Sequence, residues 1–284
     1  MTHQKNASNI HSNSKVWFIT GCSRGFGKIW TDAILKRGDK VVATARDLQK
    51  ILPLKETYGD QVLPLTLDIT KSDQITKAVE AALKYFGKID IVLNNAGYGL
   101  ISTVEEANSE DLKALYATNV MGPHSLLKAI LPYFRKQQSG HVLGVSSGLG
   151  HLCQPLIGHY CATKWAFEAM HESLSMEVAS MGIKVTILEP GAYKTDFGTD
   201  ASLQSASQIP DYEHVRRQTI EGLHNMDLGD PYVTPKALFA VVDAPDPPLR
   251  LNLGNQNLPE IQRAYEQRLT LWKKWAYLSN SVQN

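Results

Sequence analysis

Short runs of β-branched and aliphatic residues alternate with stretches of helical length along most of this chain, and that alternation limits the fold more than any other feature. The runs fall at residues 16–19, 41–44, 62–65, 89–93, 141–146, 184–188 and 249–253, with helix-length segments at 25–37, 47–58, 72–86, 109–137 and 158–181 between them. Parallel strands cannot be joined by a tight turn; they need a crossover of about a dozen residues, which a helix supplies. The pattern therefore predicts an α/β fold, a doubly wound parallel sheet with helices on both faces.

No second core and no linker interrupts the 284 residues, so residues 15–284 are expected to form one domain. The first fourteen, MTHQKNASNIHSNS, are polar and lack the apolar centre of a secretory signal; they are expected to be a disordered tail. Residues 196–232 are polar and turn-rich, as a lid over a substrate would be. Residues 258–279 read as a helix carrying Ile261, Tyr265, Leu269, Trp272 and Trp275 on one face, expected to pack on the body or on a second subunit.

Lys plus Arg number 29 against 28 for Asp plus Glu, a net charge of +1, which provides no field for capturing nucleic acid. No apolar run reaches the roughly 18 residues of a membrane span. The three cysteines include no CxxC pair, which fits a reduced, cytoplasmic setting. Histidines such as His151 and His159 show no ligand spacing, and no metal is assigned.

Two constellations carry chemistry. The first run leads into Thr20-Gly21-Cys22-Ser23-Arg24-Gly25-Phe26-Gly27, a glycine-rich turn that opens a helix. Glycines there let backbone amides approach a diphosphate, which also meets the positive end of the helix. The second is Tyr160 and Lys164, four apart on a helix and so on one face. A phenol is a poor base at neutral pH, with a reference pKa near 10. A cation about 5 Å away contributes roughly 3 kcal/mol, a little over two pKa units, at an effective dielectric of about 20. The lysine is thus expected to bring Tyr160 towards neutrality as a proton donor and acceptor.

Taken with Asn94-Asn95-Ala96-Gly97, Asn119, Ser147 thirteen residues before Tyr160, and Pro190-Gly191-Ala192-Tyr193-Lys194-Thr195, these motifs resemble the short-chain dehydrogenase/reductase family over about residues 15–255. The resemblance implies a Rossmann-like sheet of about seven strands in the family's compact branch. It implies a catalytic set of Asn119, Ser147, Tyr160 and Lys164: Ser147 holds the reacting oxygen, Lys164 tunes Tyr160, and Asn119 anchors a water that links the lysine to solvent. It also implies cofactor contacts from Gly21, Ser23, Arg24, Gly25, Phe26, Gly27, Arg46, Asp68, Ile69, Asn95, Ala96, Gly97, Tyr160, Lys164, Pro190, Gly191 and Thr195. Asp68 resembles the adenine-side aspartate, and Thr195 the residue that holds the nicotinamide carboxamide.

NAD-selective sites place a carboxylate at the end of the second strand, whereas a 2′-phosphate needs cations there instead. Here that strand ends Ala43-Thr44-Ala45-Arg46, with Ala45 where the acid would stand, and Arg24 adds a second cation. NADP(H) is favoured; Asp47, one residue beyond Arg46, keeps NAD(H) open. Apolar Leu149, Leu152, Leu156 and Phe197 suit a medium-sized, fairly apolar carbonyl compound or its alcohol. Residues 141–178 resemble hydroxysteroid and retinol dehydrogenases of the family. The expected protein is an NADP(H)-dependent oxidoreductase and a homo-oligomer, with no nucleic-acid partner and no membrane partner. The alternatives are a nucleotide-sensing regulator on the same fold and a membrane-surface retinoid or steroid dehydrogenase.

Overall fold

The computed structural model describes residues 14–198, 202–224 and 226–283. All of the expected N-terminal tail except Ser14, and residues 199–201 and 225 of the lid region, lie outside these. In chain order the elements are β1 (Val16–Thr20), α1 (Gly25–Lys36), β2 (Lys40–Ala45), α2 (Pro53–Tyr58), β3 (Val62–Thr66), α3 (Ser72–Phe86), β4 (Ile91–Asn94), β5 (Gly99–Ile101) and α4 (Ser109–Tyr116). They continue with α5 (Gly122–Gln137), β6 (Gly140–Val145), α6 (Gly158–Val178), β7 (Ile183–Pro190), β8 (Leu203–Ser205), α7 (Glu213–His224), α8 (Pro235–Asp243), β9 (Arg250–Leu253) and α9 (Asn257–Ser281).

Seven strands form one parallel sheet in the order β3-β2-β1-β4-β6-β7-β9. Side chains alternate across a strand, so a strand covered on both faces feeds two cores. Trp17, Ile19, Val41, Ala43, Ile91 and Leu93 enter one core, with Trp30 and Ile34 of α1. Their neighbours Phe18, Val42, Val92 and Val142 enter the other, with Ile75 and Val79 of α3 and Leu126 and Ile130 of α5. This is why the runs read as continuous apolar segments rather than as alternating ones. The chain turns outward in both directions from β1 and β4, and the crevice at that switch point is where such sheets bind ligands.

Several boundaries differ from the sequence reading, each for a local reason. The stretch 47–58 is not one helix: Asp47 caps a short turn at Leu48–Lys50, and Pro53 starts α2 afresh. The stretch 109–137 is broken by a π-helical turn at Ala117–Met121, after which Gly122 and Pro123 open α5. The lid region holds α7 and a strand, β8, which pairs in parallel with β5. Three-residue strands paired from distant parts of the chain leave no periodic trace.

The C-terminal helix is present, but its apolar stripe outruns the body. Ile261 and Ala264 are half-buried, whereas Trp272 is 64% and Trp275 48% exposed. Packing of all five stripe residues on this chain's own body is therefore not observed.

One buried polar contact ties α1 to the segment before α8. The Trp30 indole N–H donates to Thr234 Oγ1 at 2.8 Å, and that hydroxyl donates to the Pro231 carbonyl at 2.6 Å. Thr234→Val leaves both groups unsatisfied and should cost about 1–3 kcal/mol. Urea unfolding of the variant checks this, and an unchanged midpoint would contradict it.

Candidate active site

The glycine turn is held by a side-chain clasp between β1 and β4. Thr20 Oγ1 accepts from the backbone N–H of Asn95 and of Ala96, both at 3.0 Å. The Asn95 amide donates back to the carbonyls of Thr20, at 2.8 Å, and Gly21, at 3.2 Å. Gly21 has φ +75°, a conformation that favours glycine. A Cβ on Gly27 would stand 2.2 Å from the Gly21 carbonyl oxygen, so α1 can start this close to the turn only with glycine there. Arg24 is extended at the helix entry, and Ser23 and Gly25 lie half-buried beside it. Phe26 stacks on Trp30 at 4.8 Å and meets Tyr193 edge-on at 5.2 Å, so its ring joins the turn to the loop after β7.

The N-terminus of α1 already receives an anion. The Gly25 N–H donates to Asp196 Oδ2 at 3.0 Å, the arrangement expected of a carboxylate at the positive end of a helix dipole. The sequence reading had placed Asp196 only within a lid.

At the end of β2, Ala45 is buried and Arg46 exposed. The Asp47 carboxylate is engaged, accepting from Gln49 N at 3.1 Å. Burial opposes ionisation of Asp68. The Thr70 amide and hydroxyl, with the charges of Lys71 and Arg46, outweigh it and hold that carboxyl below its usual range. Ile69 is buried beneath the start of α5, where a Cβ on Gly122 would press on it at 2.7 Å.

Asn119, Ser147, Tyr160 and Lys164 converge at the carboxyl ends of β4 and β6. The π-turn brings Asn119 back to β4, where its amide donates to the Tyr98 carbonyl at 2.8 Å and to Thr163 Oγ1 at 3.1 Å. Its Oδ1 accepts from Tyr98 N at 3.1 Å. Lys164 Nζ donates to the Val145 carbonyl at 2.8 Å and lies 5.6 Å from the centre of the Tyr160 ring. A Cβ on Gly97 would stand 3.3 Å from Asn119 Oδ1 and 3.8 Å from Lys164 Nζ, so this glycine forms one wall of the lysine's chamber. Ser147 Oγ accepts from Leu149 N at 3.2 Å, at the start of a tight turn over residues 148–150.

The charges differ from the sequence expectation. Burial pushes the Tyr160 phenol well above its ordinary value, against which the neighbouring Ser147 hydroxyl works only in part. Burial also pulls the Lys164 ammonium down to about 8, while the charge of Glu168 pulls the other way. The lysine has the expected place, and burial is the largest cause of the shift in each group, disfavouring both charged forms. Burial thus favours the acid form of Tyr160.

Over this group lies the segment after β7. Pro190 ends that strand, Gly191 N donates to the Leu253 carbonyl at 3.0 Å, and Thr195 Oγ1 accepts from Phe197 N at 3.4 Å. The Phe197 ring lies 5.4 Å from that of Tyr160. Beneath the group the sequence reading missed a cluster: ligand-type atoms of His151, Glu168 and Glu189 lie within 4.8 Å of one another. Its only trace in the sequence was the four-residue step from Lys164 to Glu168, which prolongs the Tyr160–Lys164 face by one turn.

A doubly wound seven-stranded sheet with a glycine turn at its switch point defines a Rossmann-like α/β class of protein. Residues 15–206 match the short chain dehydrogenase family, and this chain belongs to it. It is 36% identical over 270 residues to an oxidoreductase, BOA17, of Botryotinia fuckeliana, covering 94% of this chain and 98% of that one. It is 31% identical over 249 residues to a 3-ketodihydrosphingosine reductase of Bacteroides thetaiotaomicron, covering 84% and 88%. A short-chain dehydrogenase from Streptomyces avermitilis superimposes with a TM-score of 0.88 at 32% identity, covering 96% of this chain and 99% of that one.

The depressed Lys164 pKa has a sign that can be measured. The folded chain releases this proton before the unfolded chain does, so the cost of burying the ammonium is complete below pH 8 and fades as pH rises towards 10.5. Lys164→Met removes the charge from both states. Measured against that variant, wild-type stability should climb by about 3 kcal/mol between about pH 7 and 10.5. A flat difference across paired urea titrations would contradict the assignment.

Proposed function

We propose that this protein is an NADP(H)-dependent oxidoreductase that interconverts a ketone or aldehyde and its alcohol, with Tyr160 as proton donor and acceptor. The observation that carries the reading is the geometry: Tyr160 is buried beside Ser147, with Lys164 Nζ 5.6 Å from its ring, at the strand ends that also bear the glycine turn. A phenol held in its acid form is suited to protonating an oxygen that gains charge.

The residues fit a nicotinamide dinucleotide. The Asp196 carboxylate on Gly25 N stands in for an anionic phosphate, and glycine at position 27 lets α1 start hard against the turn at Gly21. Arg24 and Arg46 would take a 2′-phosphate, since Asp47 is turned into its own cap. Asp68 and Ile69 would flank the adenine, Asn95 to Gly97 the middle of the cofactor, and Pro190, Gly191 and Thr195 the nicotinamide. When bound, the cofactor supplies or accepts the hydride. Ser147 donates a hydrogen bond to the substrate oxygen and fixes its carbon, and Tyr160 passes its proton to that oxygen. Lys164 then stabilises the phenolate left behind, and Asn119 maintains the chamber through which the proton is replaced.

The Phe197 ring, 5.4 Å from that of Tyr160, with Leu149, Leu152 and Leu156 in the segment after Ser147, would suit a medium-sized apolar carbonyl compound. The name of one relative, a 3-ketodihydrosphingosine reductase, agrees with a ketone as the reacting group. Solved relatives at 25% identity include a 3-ketoacyl-(acyl-carrier-protein) reductase complexed with NADH and an alcohol dehydrogenase complexed with 5-hydroxy-NADP. Among the described residues no helix is long and apolar enough to cross a membrane. The proposed location is the cytoplasm, and the proposed state a homo-oligomer, for which the exposed Met121, Trp165 and Met176 on the α4–α6 side and the overhanging tryptophans of α9 are apolar surface to cover.

Absorbance of the reduced nicotinamide, followed with steroid, retinoid, quinone and aliphatic carbonyls, tests the reading. Turnover should be selective for NADPH and should fall by about 10²–10⁴-fold in Tyr160→Phe while NADPH binding persists. Near-normal turnover in that variant would remove Tyr160 from the chemistry. NADPH bound without turnover on any carbonyl would favour a nucleotide sensor.

Cofactor choice has its own test. Arg46→Ala should weaken NADPH by about tenfold, equivalent to about 1.4 kcal/mol, while leaving NADH within about twofold. Equal losses for the two cofactors in fluorescence titrations would refute the assignment of Arg46 to the 2′-phosphate.

A further inference from the structure

Directly behind Ser147 and Lys164 lies a buried group of charges that the proposed reaction does not use. His151 Nε2 is 3.0 Å from Glu189 Oε1, on β7. Arg250 on β9 places Nε 3.1 Å from Glu168 Oε2 and 3.5 Å from Glu189 Oε1, while its Nη2 reaches Glu172 at 2.7 Å. Glu168 and Glu189 are 4% and 1% exposed. The Arg250 guanidinium lies against both carboxylates, Lys164 stands one turn of α6 from Glu168, and His151 meets Glu189. Burying unbalanced charge is costly, so the members are bound to one another's protonation states.

The cluster is joined to the reacting groups on two sides. His151 closes the turn that Ser147 opens: Gly150 N donates to the Ser147 carbonyl at 2.9 Å, and His151 N to the Gly148 carbonyl at 3.1 Å. Glu168 follows Lys164 by one turn of α6, as Lys164 follows Tyr160. The C-terminal helix holds the outer side of the same histidine. Tyr265 Oη is 3.1 Å from His151 Nδ1, and Arg268 Nη2 donates to the His151 carbonyl at 3.1 Å. The groups that face the imidazole are therefore Glu189 from β7, Glu168 from α6, Arg250 from β9, and Tyr265 with Arg268 from α9.

We propose that His151, gripped between Glu189 and Tyr265, is a positioning residue that fixes the Ser147 turn against Tyr160, and that α9 thereby belongs to the framework of the active site. This deepens the proposed function and rests on its assignment of Ser147 and Tyr160. The imidazole acts through the turn, at the far side from the glycine loop, so it should govern turnover and not cofactor affinity. The hydrogen bond to Glu189 holds the His151 pKa above its ordinary value. A group raised in this way contributes its stability at low pH and loses it as pH climbs through the folded pKa. The Ser147 turn should accordingly loosen on the alkaline side.

Tyr265→Phe removes one hydroxyl and leaves the ring, so it is the variant to test, with amide hydrogen exchange of residues 147–152 as the primary readout. Protection there, taken relative to the intrinsic base-catalysed exchange rate at each pH, should fall in Tyr265→Phe, and in the wild type as pH rises, while β1 and β4 keep theirs. With a carbonyl that is turned over, kcat should fall by about tenfold, the alkaline limb of the pH profile should move to lower pH, and the NADPH Kd should stay within about twofold. His151→Gln, which keeps a hydrogen-bond donor but cannot be charged, should make the protection of residues 147–152 independent of pH. Unchanged exchange and unchanged kcat in Tyr265→Phe would overturn the proposal, as would loss of protection spread equally over the sheet. If the wild type reduces no carbonyl at all, the reading of function fails while the exchange result still decides the positioning role.

Discussion

The structure depends on how closely β1 and β4 are tied together at their carboxyl ends. The strands pair in parallel, and just beyond them the Thr20 and Asn95 side chains make four hydrogen bonds with the backbone of residues 20–21 and 95–96, two of them to each other. That clasp sets where the glycine turn leaves the sheet and where the chain after β4 begins. It thereby fixes the distance between the anion-accepting end of α1 and the chamber that holds Lys164. The switch point of a doubly wound sheet is a gap by topology; here side chains have made it rigid.

The second constraint is burial. Tyr160 and Lys164 are set on one face of α6, and that face is driven into the protein. Desolvation acts against both charged forms, so the phenol retains its proton and the ammonium becomes easier to discharge. Coulomb attraction between the two, considered by itself, gives the opposite sign for the tyrosine. In the proposed reaction this is an advantage in the reducing direction, because the acid is in place before the oxygen gains charge. The same face continues to Glu168, where burial lifts the carboxyl above its ordinary range and a cation from β9 answers it.

Much of this was legible in the sequence because it rests on local rules. Strands covered on both faces give continuous apolar runs, glycines mark a turn where backbone must approach backbone, and a four-residue step puts Tyr160 and Lys164 side by side. What could not be read has non-local causes. Strand β8 exists only because β5 lies beside it, and Asp196 meets Gly25 across 171 residues. His151 looked like a scattered histidine, since its partners come from β7 and α9. The helix face of α9 was visible, but not the edge of the body it would outrun.

The central claim is that the reacting carbon sits between Ser147, Tyr160 and the nicotinamide. It is tested most directly by label transfer. NADPH carrying deuterium at both C4 positions of the nicotinamide, offered with a ketone that the enzyme reduces, should deliver one deuteride to the carbinol carbon of the product, on one face only. Alcohol that forms without the label, or with label on both faces, would contradict the account.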